Sequence, residues 1–144
     1  MSSCQFGFRE RKSTEDAIHK LISHIKTEKK YKLVVFLDLK KAFDTVNHEI
    51  LLAKLENIGI RGIAQDLFKT YLENRTCCTK IGKSKSSKKL INCGVPQGTC
   101  LGPLLFIIYI NSLTDIKLNG NLVLFEDDTA LIVEGDSSEE LYDG

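Results

Sequence analysis

Apolar and polar positions change period several times along the chain, and each change marks an element. Met1 to Lys12 shows no clear period and carries Gly7 and several charges, which predicts an entry loop. Ala17, Ile18, Leu21, Ile22 and Ile25 then recur at helical spacing, predicting a helix that closes near Lys29-Lys30. Ser13 or Thr14 can cap it, and Glu15 and Asp16 suit its positive end. Tyr31-Lys32-Leu33-Val34-Val35-Phe36-Leu37 is an apolar run ending at Asp38, the pattern of a strand buried on both faces of a sheet. Asn47 is a good N-cap for a helix from His48 to Asn57 with Ile50, Leu51, Leu52 and Leu55 inward, and Gly59 suits the left-handed position behind it. Ile63, Leu67, Phe68, Tyr71 and Leu72 form the stripe of a further helix, about Ile63 to Glu73.

From Thr76 the pattern becomes strand-like. Cys77 to Ile81 and Lys88 to Cys93 read as two strands joined by the polar stretch Gly82-Lys83-Ser84-Lys85-Ser86-Ser87. Gly94-Val95-Pro96-Gln97-Gly98 is a loop that runs into a buried helix, about Cys100 to Leu113. Leu122-Val123-Leu124-Phe125 and Thr129-Ala130-Leu131-Ile132-Val133 are two further strands, and the chain reverses between them at Glu126-Asp127-Asp128. Ser137-Ser138-Glu139-Glu140-Leu141 resembles the capped first turn of a helix, with only Tyr142-Asp143-Gly144 after it. The chain is therefore expected to be a piece of something larger.

Composition narrows the class. The 144 residues suffice for one domain, and 27% charged with 42% apolar residues is ordinary for a soluble globular protein. A net charge of +1 gives no global basic signature, so contact with nucleic acid has to come from a local patch. Lys80, Lys83, Lys85, Lys88 and Lys89 form one such cluster, readable either as phosphate contacts or as a solvated hairpin loop. The five cysteines show no Cys-x-x-Cys spacing, which argues against a zinc site and a disulfide framework and for a reduced, intracellular setting, cytoplasm or nucleus. The polar N-terminus is no signal peptide. The longest apolar run, Leu101 to Ile110, is too short to span a bilayer and contains Gly102 and Pro103, so no membrane association is expected. His19 and His24, alone on their helix, read as surface residues rather than ligands.

The chemistry concentrates at Asp127-Asp128. Two adjacent carboxylates at the tip of a buried hairpin repel each other and cost desolvation energy. A divalent cation removes that cost, because Mg²⁺ takes oxygen ligands from one or two carboxylates and completes its shell with substrate phosphates. The plain alternative is an acidic turn.

Four stretches in order carry a resemblance. They are Gln5-Phe6-Gly7-Phe8-Arg9 with Ser13-Thr14-Glu15-Asp16-Ala17, then Phe36-Leu37-Asp38-Leu39-Lys40-Lys41-Ala42-Phe43-Asp44-Thr45-Val46-Asn47-His48, then Gly94 to Phe106, and finally Phe125-Glu126-Asp127-Asp128-Thr129-Ala130. Together they resemble the reverse transcriptase domain of non-LTR (LINE-type) retrotransposons over nearly the whole chain. The resemblance implies an α+β fold, a palm-like antiparallel sheet backed by helices. It implies a partial domain over residues 1–144, with a remnant of the fingers at 1–30 and the palm at 31–144, and with the remaining fingers strands, the thumb and the endonuclease missing. The implied activity is RNA-directed DNA polymerisation, with an RNA template, a DNA primer and dNTP as partners and two Mg²⁺ (or Mn²⁺) ions as cofactors.

The resemblance also implies roles. Asp38 and Asp127 would bridge two metals about 3.5–4 Å apart, with Asp128 completing or supporting the site and the Leu39 backbone adding a ligand. Leu39 and Lys40 would offer backbone N–H groups to the triphosphate. Phe43 would pack under the sugar and exclude a 2′-hydroxyl by clash, unless it is a plain core residue. Gln97 would touch the nascent base pair, with Gly94, Pro96 and Gly98 shaping its loop, and Lys83, Lys85 and Lys88 would contact nucleic acid. Asp44 reads as a local hydrogen-bonding residue and His48 as structural. Glu126 departs from the family, which has a small or neutral residue there; strand alternation would turn it toward the nucleotide and lower activity. Alone, the chain is expected to be inactive. The alternatives are a decayed retrotransposon remnant with at most weak nucleic-acid binding, and an interaction module whose acidic hairpin is only a turn.

Overall fold

A computed structural model describes residues 1–141; Tyr142-Asp143-Gly144, at the end of the expected capped turn, lie outside the described residues. Helices α1 (Thr14–Ile25), α2 (His48–Asn57), α3 (Ile63–Leu72) and α4 (Leu101–Ile110) accompany strands β1 (Tyr31–Leu37), β2 (Arg75–Cys77), β3 (Lys80–Ile81), β4 (Ser84–Lys85), β5 (Lys89–Ile91), β6 (Asn121–Phe125) and β7 (Asp128–Gly135). Short 3-10 turns lie at Ala42–Asp44, Asn111–Asp115 and Glu139–Leu141. The named strands all pair antiparallel, so the fold mixes helices with antiparallel sheet. The chain divides into two compact units, Met1–Lys40 with Ile110–Gly144, and Lys41–Tyr109.

The first unit is built on a three-stranded sheet in the order β1-β7-β6. β1 runs along β7 from Tyr31↔Gly135 to Leu37↔Thr129, and β6 along β7 from Asn121↔Ile132 to Phe125↔Asp128. Because side chains alternate faces, Val34, Ala130, Ile132 and Val123 share one face, and they form a core with Phe6 and with Ala17 and Leu21 of α1. α1 starts at Ser13 through a reciprocal capping box. The Asp16 N–H donates to Ser13 Oγ at 3.2 Å, while the Ser13 N–H donates to the Asp16 carboxylate at 2.8 Å.

Three expectations about this unit change. Met1 to Lys12 is more than an entry loop: Gln5 bridges Leu124 in parallel register, with Phe6 N–H donating to Leu124 O at 2.8 Å and Leu124 N–H to Cys4 O at 2.9 Å. β6 is an outer strand of the sheet, and its free backbone groups need partners, which this segment supplies. β1 is not buried on both faces. Among the described residues it pairs only with β7, and Phe36 is 73% exposed. α1 also ends at Ile25, before the expected close near Lys29-Lys30, with Ile18, Ile22 and Ile25 left exposed.

In the second unit, Asn47 caps α2 by accepting the Ile50 N–H at 3.0 Å, and Leu51 and Leu55 are buried while Ile50 is exposed. α2 packs against α3. The α3 stripe is mostly in solvent, since Ile63 is 90% exposed and only Leu72 is fully buried. β2 pairs with β5, and the stretch expected as a polar loop closes into a second small hairpin, β3 with β4, around Gly82. The helix expected over residues 100–113 is α4 followed by the 3-10 turn Asn111–Asp115.

Ile132 sits fully buried on the central strand, so Ile132→Ala should lower stability by about 2–5 kcal/mol in urea unfolding, whereas Ile63→Ser should change it by no more than about 0.5 kcal/mol.

Candidate active site

The tip of the β6–β7 hairpin is a two-residue turn, Glu126-Asp127, closed by the pair Phe125↔Asp128. Such turns require positive φ at a central residue, which is why glycine, asparagine and aspartate dominate them. Here Glu126 takes φ +60. A non-glycine residue in that region carries strain on the order of 1–3 kcal/mol and persists only where its surroundings hold it. The holding group is Gln5, which is 1% exposed. Its Oε1 accepts the Glu126 N–H at 3.1 Å and the Gly7 N–H at 2.8 Å, and its Nε2 donates to Glu126 O at 3.1 Å. Gly7 admits the turn because a Cβ there would lie 2.3 Å from Glu126 N.

Asp38 follows directly on the last β1–β7 pair, Leu37↔Thr129, and the same register carries it opposite Asp128. Asp38 and Asp128 accordingly line one cavity of about 380 Å³, floored by Ala17 and Leu21 of α1 and by Val123 and Phe125 of β6. Asp127, half-buried in the turn, does not line it. Among the described residues no group of three or more His, Cys, Asp or Glu side chains is gathered to enclose a metal ion. Mg²⁺ does not require such a cage, since it binds through one or two carboxylates plus waters and substrate phosphates. A pair of hard oxygen donors facing a shared cavity fits that demand.

Burial raises the Glu126 carboxyl above its ordinary value of 4.5, and the charges of Asp127 and then Asp128 raise it further. The strand alternation expected to turn this side chain toward the nucleotide does not apply to a turn residue at positive φ. Three acidic groups therefore share one field at the hairpin tip.

The remaining expected residues fall in two places. Leu39 and Lys40, both exposed, follow Asp38 in the first unit. Phe43, Gly94, Pro96, Gln97 and Gly98 belong to the second. The Phe43 ring stacks on Phe106 with centroids 4.2 Å apart, and Gln97 Nε2 donates to Asp44 Oδ1 at 2.8 Å. The loop is laced to its own unit: Gly94 N–H donates to Val46 O at 2.7 Å, Val95 N–H to Phe43 O at 2.9 Å, and His48 Nε2 lies 2.8 Å from Gly94 O. Gly94 has φ +86, and a Cβ there would meet Asp44 O at 2.8 Å, so the position needs glycine twice over. Pro96 O accepts from Thr99 Oγ1 at 2.8 Å, and Gly98 has φ +76. Lys83, Lys85 and Lys88 are exposed on and beside the β3–β4 hairpin, with Lys80 and Lys89. No described helix is long and apolar enough to cross a membrane. Gln5 is the site residue that periodicity missed. Its only signal was membership of the stretch Gln5 to Arg9, since a buried amide leaves no mark on an apolar pattern.

The β6–β7 hairpin thus carries paired aspartates at its tip, and a third acid stands at the end of the neighbouring strand. The chain belongs to the family described as reverse transcriptase (RNA-dependent DNA polymerase), whose model matches residues 1–142. It is 37% identical over 108 residues to the "Probable RNA-directed DNA polymerase from transposon BS" of Drosophila melanogaster, covering 73% of this chain and 12% of that protein. The corresponding protein of transposon X-element, from the same organism, is 33% identical over 147 aligned positions, covering 97% of this chain and 16% of the relative. The RNA-directed DNA polymerase from mobile element jockey of Drosophila melanogaster is 32% identical over 143, covering 92% and 16%. The chain thus spans 12–16% of the length of these relatives.

The raised Glu126 carboxyl has a consequence for stability. Between 4.5 and its raised folded value, the folded chain binds more protons at Glu126 than the unfolded chain, so this group makes stability fall as pH rises through that window. Glu126→Gln should therefore raise the melting temperature at pH 7, and the gain should shrink as pH falls through 4.5 and vanish by about pH 3, where both states are protonated. Thermal unfolding of the two proteins across that range checks it; a difference independent of pH contradicts it.

Proposed function

We propose that this chain carries the nucleotidyl-transfer centre of an RNA-directed DNA polymerase, a palm-like sheet that adds dNTP to a DNA primer on an RNA template. The observation that carries the reading is the strand register: the β1–β7 ladder ends so that Asp38 falls opposite Asp128, at the tip of the hairpin that also holds Asp127. Asp38 and Asp127 would be the ligands shared by two Mg²⁺ or Mn²⁺ ions, with Asp128 completing the set and the Leu39 backbone adding an oxygen. When bound, such ions favour ionisation of the primer 3′-hydroxyl and neutralise charge on the departing pyrophosphate.

The other residues position. Leu39 and Lys40 present backbone N–H groups to the triphosphate, and Phe43 discriminates against a 2′-hydroxyl by steric exclusion, with its stack on Phe106 fixing the ring. Gln97 contacts the nascent base pair from the loop that Gly94, Pro96 and Gly98 shape. Lys83, Lys85 and Lys88 contact nucleic-acid phosphates; no Asp or Glu occurs between Glu73 and Asp115, so their field is not cancelled locally. Residues 1–30 act as part of the fingers and 31–144 as palm. The five free cysteines support work in a reducing, intracellular setting.

One observation favours a second reading, a chain of this family that no longer catalyses. Glu126 adds a third anion beside Asp127 and Asp128. An anion about 4 Å from a phosphate opposes it by up to about 4 kcal/mol at an effective dielectric of 20, less with solvent and protonation. Alone, moreover, the chain has a net charge of only +1 with which to grip a template–primer duplex.

Mn²⁺ titration tests the shared site: Asp38→Asn and Asp127→Asn should each weaken binding by at least about tenfold, and unchanged affinity in both would reject the reading. Primer extension separates the two readings. The isolated chain should give no product. In a domain completed with the flanking regions of a relative, Glu126→Ala should raise the extension rate severalfold, and equal rates would remove the inhibitory role given to Glu126.

A further inference from the structure

The Glu126-Asp127 turn has no glycine, yet its first residue sits at φ +60. The group that makes this possible comes from 121 residues away: the buried Gln5 side chain accepts the Glu126 N–H and donates to the Glu126 carbonyl, both at 3.1 Å. Its oxygen is oriented by a second donor, the Gly7 N–H at 2.8 Å. Gly7 also sets the approach distance, since any Cβ there would lie 2.3 Å from Glu126 N. A primary amide is the side chain that meets this need. It offers an acceptor and a donor at fixed spacing to both sides of one peptide residue and adds no charge beside Asp127 and Asp128. A carboxylate of the same length would lack the donor and add a fourth anion.

We infer that Gln5 is a positioning residue for the metal site: its amide clamps the Glu126 backbone and so fixes the direction from which Asp127 and Asp128 present their carboxylates. The inference rests on the polymerase reading for the ligand and on the hydrogen bonds alone for the clamp, so the two are tested by separate measurements. Gln5→Met keeps length and burial and removes all three hydrogen bonds. In the ¹⁵N-labelled chain, amide hydrogen exchange at Glu126 should quicken at least tenfold in Gln5→Met, with the ladder amides of Val123 and Ala130 unchanged. The Mn²⁺ dissociation constant, read by electron paramagnetic resonance with the metal alone, should rise at least fivefold.

Equal acceleration at Glu126, Val123 and Ala130 would make Gln5 a general core residue and overturn the clamp. Local acceleration with unaltered Mn²⁺ affinity would overturn its link to the metal site. If the unmutated chain binds Mn²⁺ with no dependence on Asp127, the polymerase reading fails, and the exchange data still decide the clamp. Should Gln5→Met not fold, Gln5→Leu takes its place: it likewise removes all three hydrogen bonds and adds no charge, and the same exchange and Mn²⁺ criteria apply.

Discussion

A two-residue hairpin turn with a glutamate at positive φ carries backbone strain, and in this chain a single buried amide bonds that residue on both sides. Gln5 reaches both backbone groups of Glu126, the residue that precedes Asp127 and Asp128. Each hydrogen bond contributes a net of only about 0.5–1.5 kcal/mol, comparable with the strain of one residue at positive φ. The two bonds to Glu126 are therefore of the size that offsets such strain. The N-terminal segment earns its place through this contact and through the parallel rung it adds outside β6.

Register is the second constraint. Because strand side chains alternate, a slip of one residue between β1 and β7 would send Asp38 to the opposite face. The slip is opposed by the buried face it would expose: Ile132 and Ala130 sit against Ala17 and Leu21 of α1, opposite Val34 and next to Val123. The apolar core beneath α1 thus fixes where an acid at the end of β1 falls. Packing and chemistry are coupled through the sheet rather than placed side by side.

Much of this was legible beforehand. The β1 and α2 limits follow from an apolar run that ends in Asp38 and from an asparagine cap, and both are local signals. The hairpin was visible because two apolar strands bracket a charged tip. What periodicity misjudged was exposure. Ile63 and Phe36 fit an apolar pattern, yet burial depends on what lies opposite, and that is a property of the fold. The paired aspartates stood out in the sequence, and so did the glycine loop at Gly94. Gln5 did not, because a buried polar residue is justified only by partners that arrive from the far end of the chain. Family membership rests on the match to residues 1–142; the physical reason that Asp38 and the hairpin acids meet comes from the strand pairing.

The claim beneath all of this is that an acid at the end of β1 and the acids of the hairpin address one cation. Paramagnetic broadening of backbone ¹⁵N–¹H resonances on adding substoichiometric Mn²⁺ tests it most directly. The account predicts that Asp38, Asp127 and Asp128 broaden together and first, at the same Mn²⁺ concentration. Broadening confined to the hairpin, with Asp38 sharp, would contradict it.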